Sequence, residues 1–149
     1  MRLNRIAAAA AGLAICLAWA AGSETERAEE PQYKQAVAAI KAHQYERAIQ
    51  LLQAHARRTK PDADVHNYLG YAYRKSGKLD AAFDHYGKAL ALDARHLGAH
   101  EYIGEAYLMV NDLPKAEEHL QALHRLCAAS CEEYRDLQKA IADHKARKQ

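Results

Sequence analysis

Between Tyr33 and Cys127, small and apolar residues return at a spacing of 34 residues. Ala48, Ala82 and Ala116 share one register, and Ala36, Gly70 and Gly104 share another. Tyr45, Leu79 and Leu113 form a third, Leu52, Tyr86 and Leu120 a fourth, and Ala39, Tyr73 and Tyr107 a fifth. Within each unit the apolar places fall at helical spacing in two runs, with a short polar break between them. The small residues predict where a front helix lies against a back helix at Ala48, Ala82 or Ala116, because larger side chains would push the axes apart. One such pair cannot bury its apolar face alone, whereas three form a continuous core.

The breaks carry matching turn chemistry. Pro31 stands where a first helix can begin, since its missing N–H and fixed φ suit the first turn. Ser76-Gly77 ends the front helix of the second unit, with glycine free to turn left-handed. Asn111-Asp112 ends that of the third, with Asp112 placed to cap the next helix and Pro114 in its first turn. The first unit has His43-Gln44 there, a weaker turn signal. Arg57, Arg58 and Lys60 crowd the end of its back helix, Pro61 stops it, and Asp62 is set to cap the next. Beyond Cys127 the register breaks. Ser130 and Glu133 have the spacing of a capping box, and Tyr134, Leu137 and Ile141 predict one further amphipathic helix. Seven helices are expected.

The stretch from His66 to Asp93 contains Leu69-Gly70, Tyr73, Gly77, Ala82, Tyr86 and Ala89-Leu90 at fixed offsets. It closely resembles one tetratricopeptide (TPR) repeat. The likeness spans roughly residues 33–127, strong in the second unit, moderate in the third and degenerate in the first. It implies an all-α, right-handed superhelical TPR solenoid of three helix hairpins plus a C-terminal capping helix. The expected organisation is a signal peptide at 1–20, a polar spacer at 21–31, the TPR domain at 32–127, and a capping helix with a basic tail at 128–149.

The resemblance also implies a binding scaffold whose front helices line a concave groove. Carried over by register, the partner-facing places are Tyr33, Val37 and Lys41, then Asn67, Tyr71, Arg74 and Lys75, then Glu101, Glu105, Leu108 and Met109. Their middle is basic and aromatic and their far end acidic and apolar, which suits an extended segment bearing both charges. Chaperone-type TPR grooves clamp a C-terminal carboxylate with a Lys/Asn/Arg set. Asn67 alone matches it, so that function is not expected.

The N-terminus adds a location. Arg2 and Arg5 precede the uncharged run from Ile6 to Ala18, and Ala18-Trp19-Ala20 has the small-x-small pattern of a signal-peptidase site. Export to the periplasm with cleavage after Ala20 is expected. The run is short for a bilayer-spanning anchor. Leu13-Ala14-Ile15-Cys16 resembles a lipid-attachment box, although Ile15 departs from its small residue before the cysteine. Ser23 to Glu30 is polar and charged, without apolar periodicity. Loss of Arg2 and Arg5 lowers Lys+Arg from 21 to 19, against 19 Asp+Glu, and the formal charge from +2 to 0. That leaves no overall basic field for a phosphate backbone, so a nucleic-acid partner is not expected. The expected partner is another envelope protein or peptide segment, with stacking of a second copy on the solenoid end as a further possibility.

Candidate chemistry is sparse. Cys127 and Cys131 flank a three-residue link, and in an oxidising compartment a disulfide is the leading expectation. Closing so small a loop contributes only about 2 kcal/mol, so its role would be to set the angle of the last helix. The alternative is a metal- or redox-handling accessory using His124 with the two cysteines, although no fourth ligand is evident. Nine histidines is a high count. His66 and His100 share a register where the family often has Trp, and His85 and His119 share one on the back helices. Register mates lie about 8–10 Å apart, too far for a common metal, so no metal or cofactor is expected. Half-buried packing of His66 and His100 between helices is the simplest expectation. The chain lacks G-x-S-x-G, H-E-x-x-H, a phosphate-cradling Gly-rich loop and a C-x-x-C-H haem site, so nothing points to an enzyme.

Overall fold

The computed structural model describes residues 31–148. The expected export signal, Cys16 and the stretch from Ser23 to Glu30 lie outside them. Among the described residues there are seven helices: α1 (Pro31–Lys41), α2 (Tyr45–Ala56), α3 (Ala63–Lys75), α4 (Leu79–Leu92), α5 (Leu97–Met109), α6 (Leu113–Cys127) and α7 (Glu132–Ala146). Helices α1/α2, α3/α4 and α5/α6 pack as pairs, each pair packs on the next, and α7 closes the far end against both α5 and α6. No described helix is long and apolar enough to cross a membrane.

The small-residue registers are at the helix contacts. Ala36, Ala48, Ala82 and Ala116 are fully buried, as are Leu52 and Tyr86 one turn further along their helices. The core runs as three clusters, one for each step of the array. Tyr73 borders the first two and Tyr107 the last two, so a single tyrosine register joins the core from repeat to repeat. This is nearest-neighbour stabilisation, in which each pair finishes burying the apolar face of the one before it.

Local signals act where they were expected, with one exception. The Asp62 carboxylate accepts from the Asp64 and Val65 amides at the start of α3, and Asp112 accepts from the Lys115 amide at the start of α6. Gly77 (φ 76°) and Asn111 (φ 61°) take the left-handed turn, and so does His43 (φ 57°) despite its poorer preference. The capping box expected from Ser130 and Glu133 does not form. Cys131 holds the N-cap position of α7 and makes no side-chain cap bond, while the Ser130 hydroxyl donates to the Cys127 carbonyl at 2.6 Å. The reason lies just upstream, where Ala128 and Ala129 both turn left-handed (φ 47° and 64°) and direct Ser130 back toward α6.

Gly70 and Gly104 share a register but meet different neighbours. A Cβ on Gly70 would stand 2.5 Å from Tyr86 ring atoms, so this glycine admits the back helix of its own repeat. A Cβ on Gly104 would stand 2.6 Å from a methyl of Leu137, so this one instead admits the final helix, α7. Both side chains are fully buried, but the Tyr86 ring is rigid, whereas the Leu137 methyls are the tip of a rotatable side chain. Gly70→Ala is therefore expected to lower stability by about 2 kcal/mol, and Gly104→Ala by less than about 1 kcal/mol. Urea midpoints at constant m-value measure both, and equal losses would contradict the assignment.

Candidate functional site

The front-helix residues singled out by register fall into three zones. At one end, Tyr33, Val37 and Lys41 lie one turn apart on α1 and, with Lys34 and Ala38, line a shallow cavity of about 280 Å³. Tyr33 also meets His55 at a tilt and Tyr68 in a T-shaped contact, ring centroids 5.6 and 6.1 Å away. At the other end, Glu105, Leu108 and Met109 face Ala140, Asp143, His144 and Arg147 of α7 and its end across a cavity of about 270 Å³. Met109 is half exposed, and Leu108 is buried. The final helix thus supplies one wall of this end, a contribution absent from the register argument.

The middle zone is organised from within. Arg74, expected on an exposed face, is only 6% accessible. Its Nε donates to the Tyr86 hydroxyl at 3.3 Å, its Nη2 pairs with the Glu105 carboxylate, and its guanidinium lies 5.4 Å from the Tyr71 ring and 5.6 Å from that of Tyr102. Burial works against its charge, but Tyr86, Glu105 and Tyr71 outweigh that and hold the guanidinium firmly protonated. Tyr71 and Tyr102 stand 5.0 Å apart between successive repeats, and Tyr45 adds a third ring 6.3 Å from Tyr71. Lys75 is exposed, its ammonium 5.4 Å from the centroid of the Tyr71 ring. Tyr71, Tyr102 and Lys75 therefore form an accessible aromatic–basic band fixed from below by Arg74.

Two further members are buried polar groups. Asn67 is 6% accessible and its Oδ1 has no hydrogen-bond partner. Burial pushes the Glu101 carboxyl up to about 8, helped by Glu105, Asp136 and Glu133. It therefore largely keeps its proton at neutral pH. The acidic end consequently presents less negative charge than its residues suggest.

The histidines and cysteines have their own arrangement. His66 and His100 are half buried, as expected. Their neighbours are not each other but the histidines 19 residues on: His66 Nδ1 faces His85 Nδ1 at 3.0 Å, and His100 Nδ1 faces His119 Nδ1 at 2.9 Å. Sequence reasoning compared register mates and missed these cross-hairpin pairs, although the 19-residue offset occurs twice. Burial first, then the neighbouring histidine, brings His85 and His119 down to about 4. The Cys127 and Cys131 sulfurs lie at bonding distance, with Cα atoms 5.8 Å apart. His124 packs instead against Tyr134, ring centroids 5.7 Å apart. Among the described residues no group of three or more His, Cys, Asp or Glu is arranged to hold a metal.

The TPR family model, described as tetratricopeptide repeat, matches residues 63–96, which hold α3, α4 and the turn after them. Residues 63–96 are a tetratricopeptide repeat. Solved TPR-like structures extend the likeness of fold beyond that repeat. The Yersinia enterocolitica type III secretion translocator chaperone SycD superposes with a TM-score of 0.68 at 21% identity, over 79% of this chain and 92% of that one. A second SycD structure, in complex with a peptide of the translocator YopD, gives 0.67 at 21% identity, again over 79% and 92%. The second TPR domain of human RPAP3, in complex with an HSP70 peptide, gives 0.65 at 21% identity, over 73% of this chain and 91% of that domain. No curated protein matches by sequence.

Proposed function

We propose that this protein is a non-enzymatic adaptor of the bacterial envelope that binds an extended segment of another protein along its front helices. The observation that carries the reading is the band of Tyr71, Tyr102 and Lys75, built rigidly across two repeats and left open. Aromatic rings fixed in place offer contact area at little entropic cost. Support comes also from SycD and RPAP3, whose solved complexes hold peptides of other proteins. Location in the envelope rests on Arg2, Arg5, the apolar run to Ala18 and the site at Ala18-Trp19-Ala20. A disulfide between Cys127 and Cys131 fits the same compartment and would hold α7 against the acidic end.

The test is crosslinking capture from envelope fractions, comparing wild type with Tyr71→Ala plus Lys75→Glu. Both side chains are accessible enough to change without emptying the core, whereas Arg74 is not. The double variant is expected to keep wild-type helicity and to lose about tenfold or more of its crosslinked partner, because it removes an aromatic anchor and reverses a charge. An unchanged set of crosslinked proteins would show that the partner uses another surface.

A further inference from the structure

The two histidine pairs are used by neither the groove nor the core. Each joins a front helix to a back helix of one repeat, and they recur in the same registers: His66 with His85, His100 with His119. In both, the back-helix ring also stacks on the tyrosine that links the core clusters. Tyr73 lies on His85 and Tyr107 on His119, each with ring planes 16° apart. In the first repeat these two registers hold Gln32 and Leu51, so the second and third repeats carry the device and the first does not.

The second pair has a feature that a packing role does not need. His100 Nε2 lies 3.1 Å from the Ala94 carbonyl oxygen, which can only accept, so the ring proton sits on Nε2 and Nδ1, 2.9 Å from His119 Nδ1, carries a lone pair. An imidazole whose far N–H is tied to a backbone carbonyl is the usual arrangement of a metal-ligating histidine. The separation is informative too. Two nitrogens 2.9–3.0 Å apart subtend an angle of about 90° at an ion about 2.0 Å from each. That is the angle between adjacent corners of a square-planar or octahedral ion, narrower than a tetrahedral one. The half-buried rings leave the remaining coordination places to water.

We propose that each pair is a chelating site for a divalent first-row transition cation, Cu(II) foremost, with the two Nδ1 atoms as adjacent ligands. Cu(II) is favoured because imidazole nitrogens suit it, the angle matches its tetragonal geometry, and it heads the affinity order of the divalent series. Since each site joins both helices of a hairpin, the ion would fasten that hairpin without touching the partner-binding face.

The untagged full-length chain, titrated with copper(II) chloride in a non-coordinating buffer and read by electron paramagnetic resonance, tests this. Two Cu(II) ions per chain are expected, each with nitrogen hyperfine structure from two imidazoles. His66→Gln places in the second repeat the residue that the first already carries. It and His100→Gln should each remove one ion, and the double variant should remove both while keeping its helical circular dichroism. Wild type should also gain in Tm with saturating Cu(II), because the paired ligands separate on unfolding. Stoichiometry unchanged in a folded double variant overturns the proposal, as does a wild type that binds no Cu(II) at micromolar ion or gains no Tm.

Discussion

Tyr86→Ala is expected to lower stability by about 4 kcal/mol, enough to leave the folded state marginal in a domain of this size. The ring is fully buried on α4, lies directly over Gly70 of α3, and belongs to the central core cluster with Ile103 and Ala106 of α5. Truncation opens a cavity where two repeats meet, and the flanking helices can collapse into it only by giving up their other contacts. The hydroxyl is a smaller part of the effect. Tyr86→Phe removes only its bond with Arg74 and should cost about 1 kcal/mol. The pairing with Gly70 gives a sharper check than either number. Gly70→Ala is costly because its new methyl strikes the Tyr86 ring, so in the Tyr86→Ala background it should cost nothing or stabilise. Urea unfolding of the four proteins of this cycle measures the coupling, and simple additivity would contradict the contact.

The same contact shows what the sequence could and could not convey. Ala36, Ala48, Ala82 and Ala116 are buried to the last atom because a repeating fold imposes one local rule at each register, and such rules are visible as periodicity. Asp62, Gly77 and Asp112 act within a few residues of themselves, so their roles were also legible. The box at Ser130 was not, because whether it caps depends on the two left-handed alanines before it, and alanine carries no signal for that conformation. Gly104 was assigned to its own hairpin by register, yet the side chain it admits comes from α7, outside the repeating part. Register puts Arg74 on a partner-facing face, yet the structure buries it. Its burial depends on rings contributed by α3, α4 and α5 together, and no spacing within one helix encodes that. The histidine pairs were legible in principle, as a 19-residue offset that occurs twice.

The burial of Arg74 leads to the second large effect. Arg74→Met should cost about 3 kcal/mol, since it keeps most of the side-chain volume but strands a carboxylate that had a partner. That carboxylate is Glu105, with Glu101 on the same helix and Glu133 and Asp136 of α7 close enough to raise the Glu101 carboxyl. Without the guanidinium Glu105 loses its ion-pair partner and is left among acidic neighbours, partly screened from water. The loss should therefore come mainly from uncompensated charge, not from missing packing. Arg74→Met combined with Glu105→Gln removes both halves of the pair and should return to within about 1 kcal/mol of wild type. If the double variant is as unstable as the single one, the cation–π contacts with Tyr71 and Tyr102 dominate instead. The repaired double variant also separates folding from function. It keeps the Tyr71–Tyr102–Lys75 band on a stable scaffold but removes the charge beneath it. A partner held by the exposed rings and Lys75 should then still be captured, whereas one that needs the Arg74–Glu105 pair should be lost.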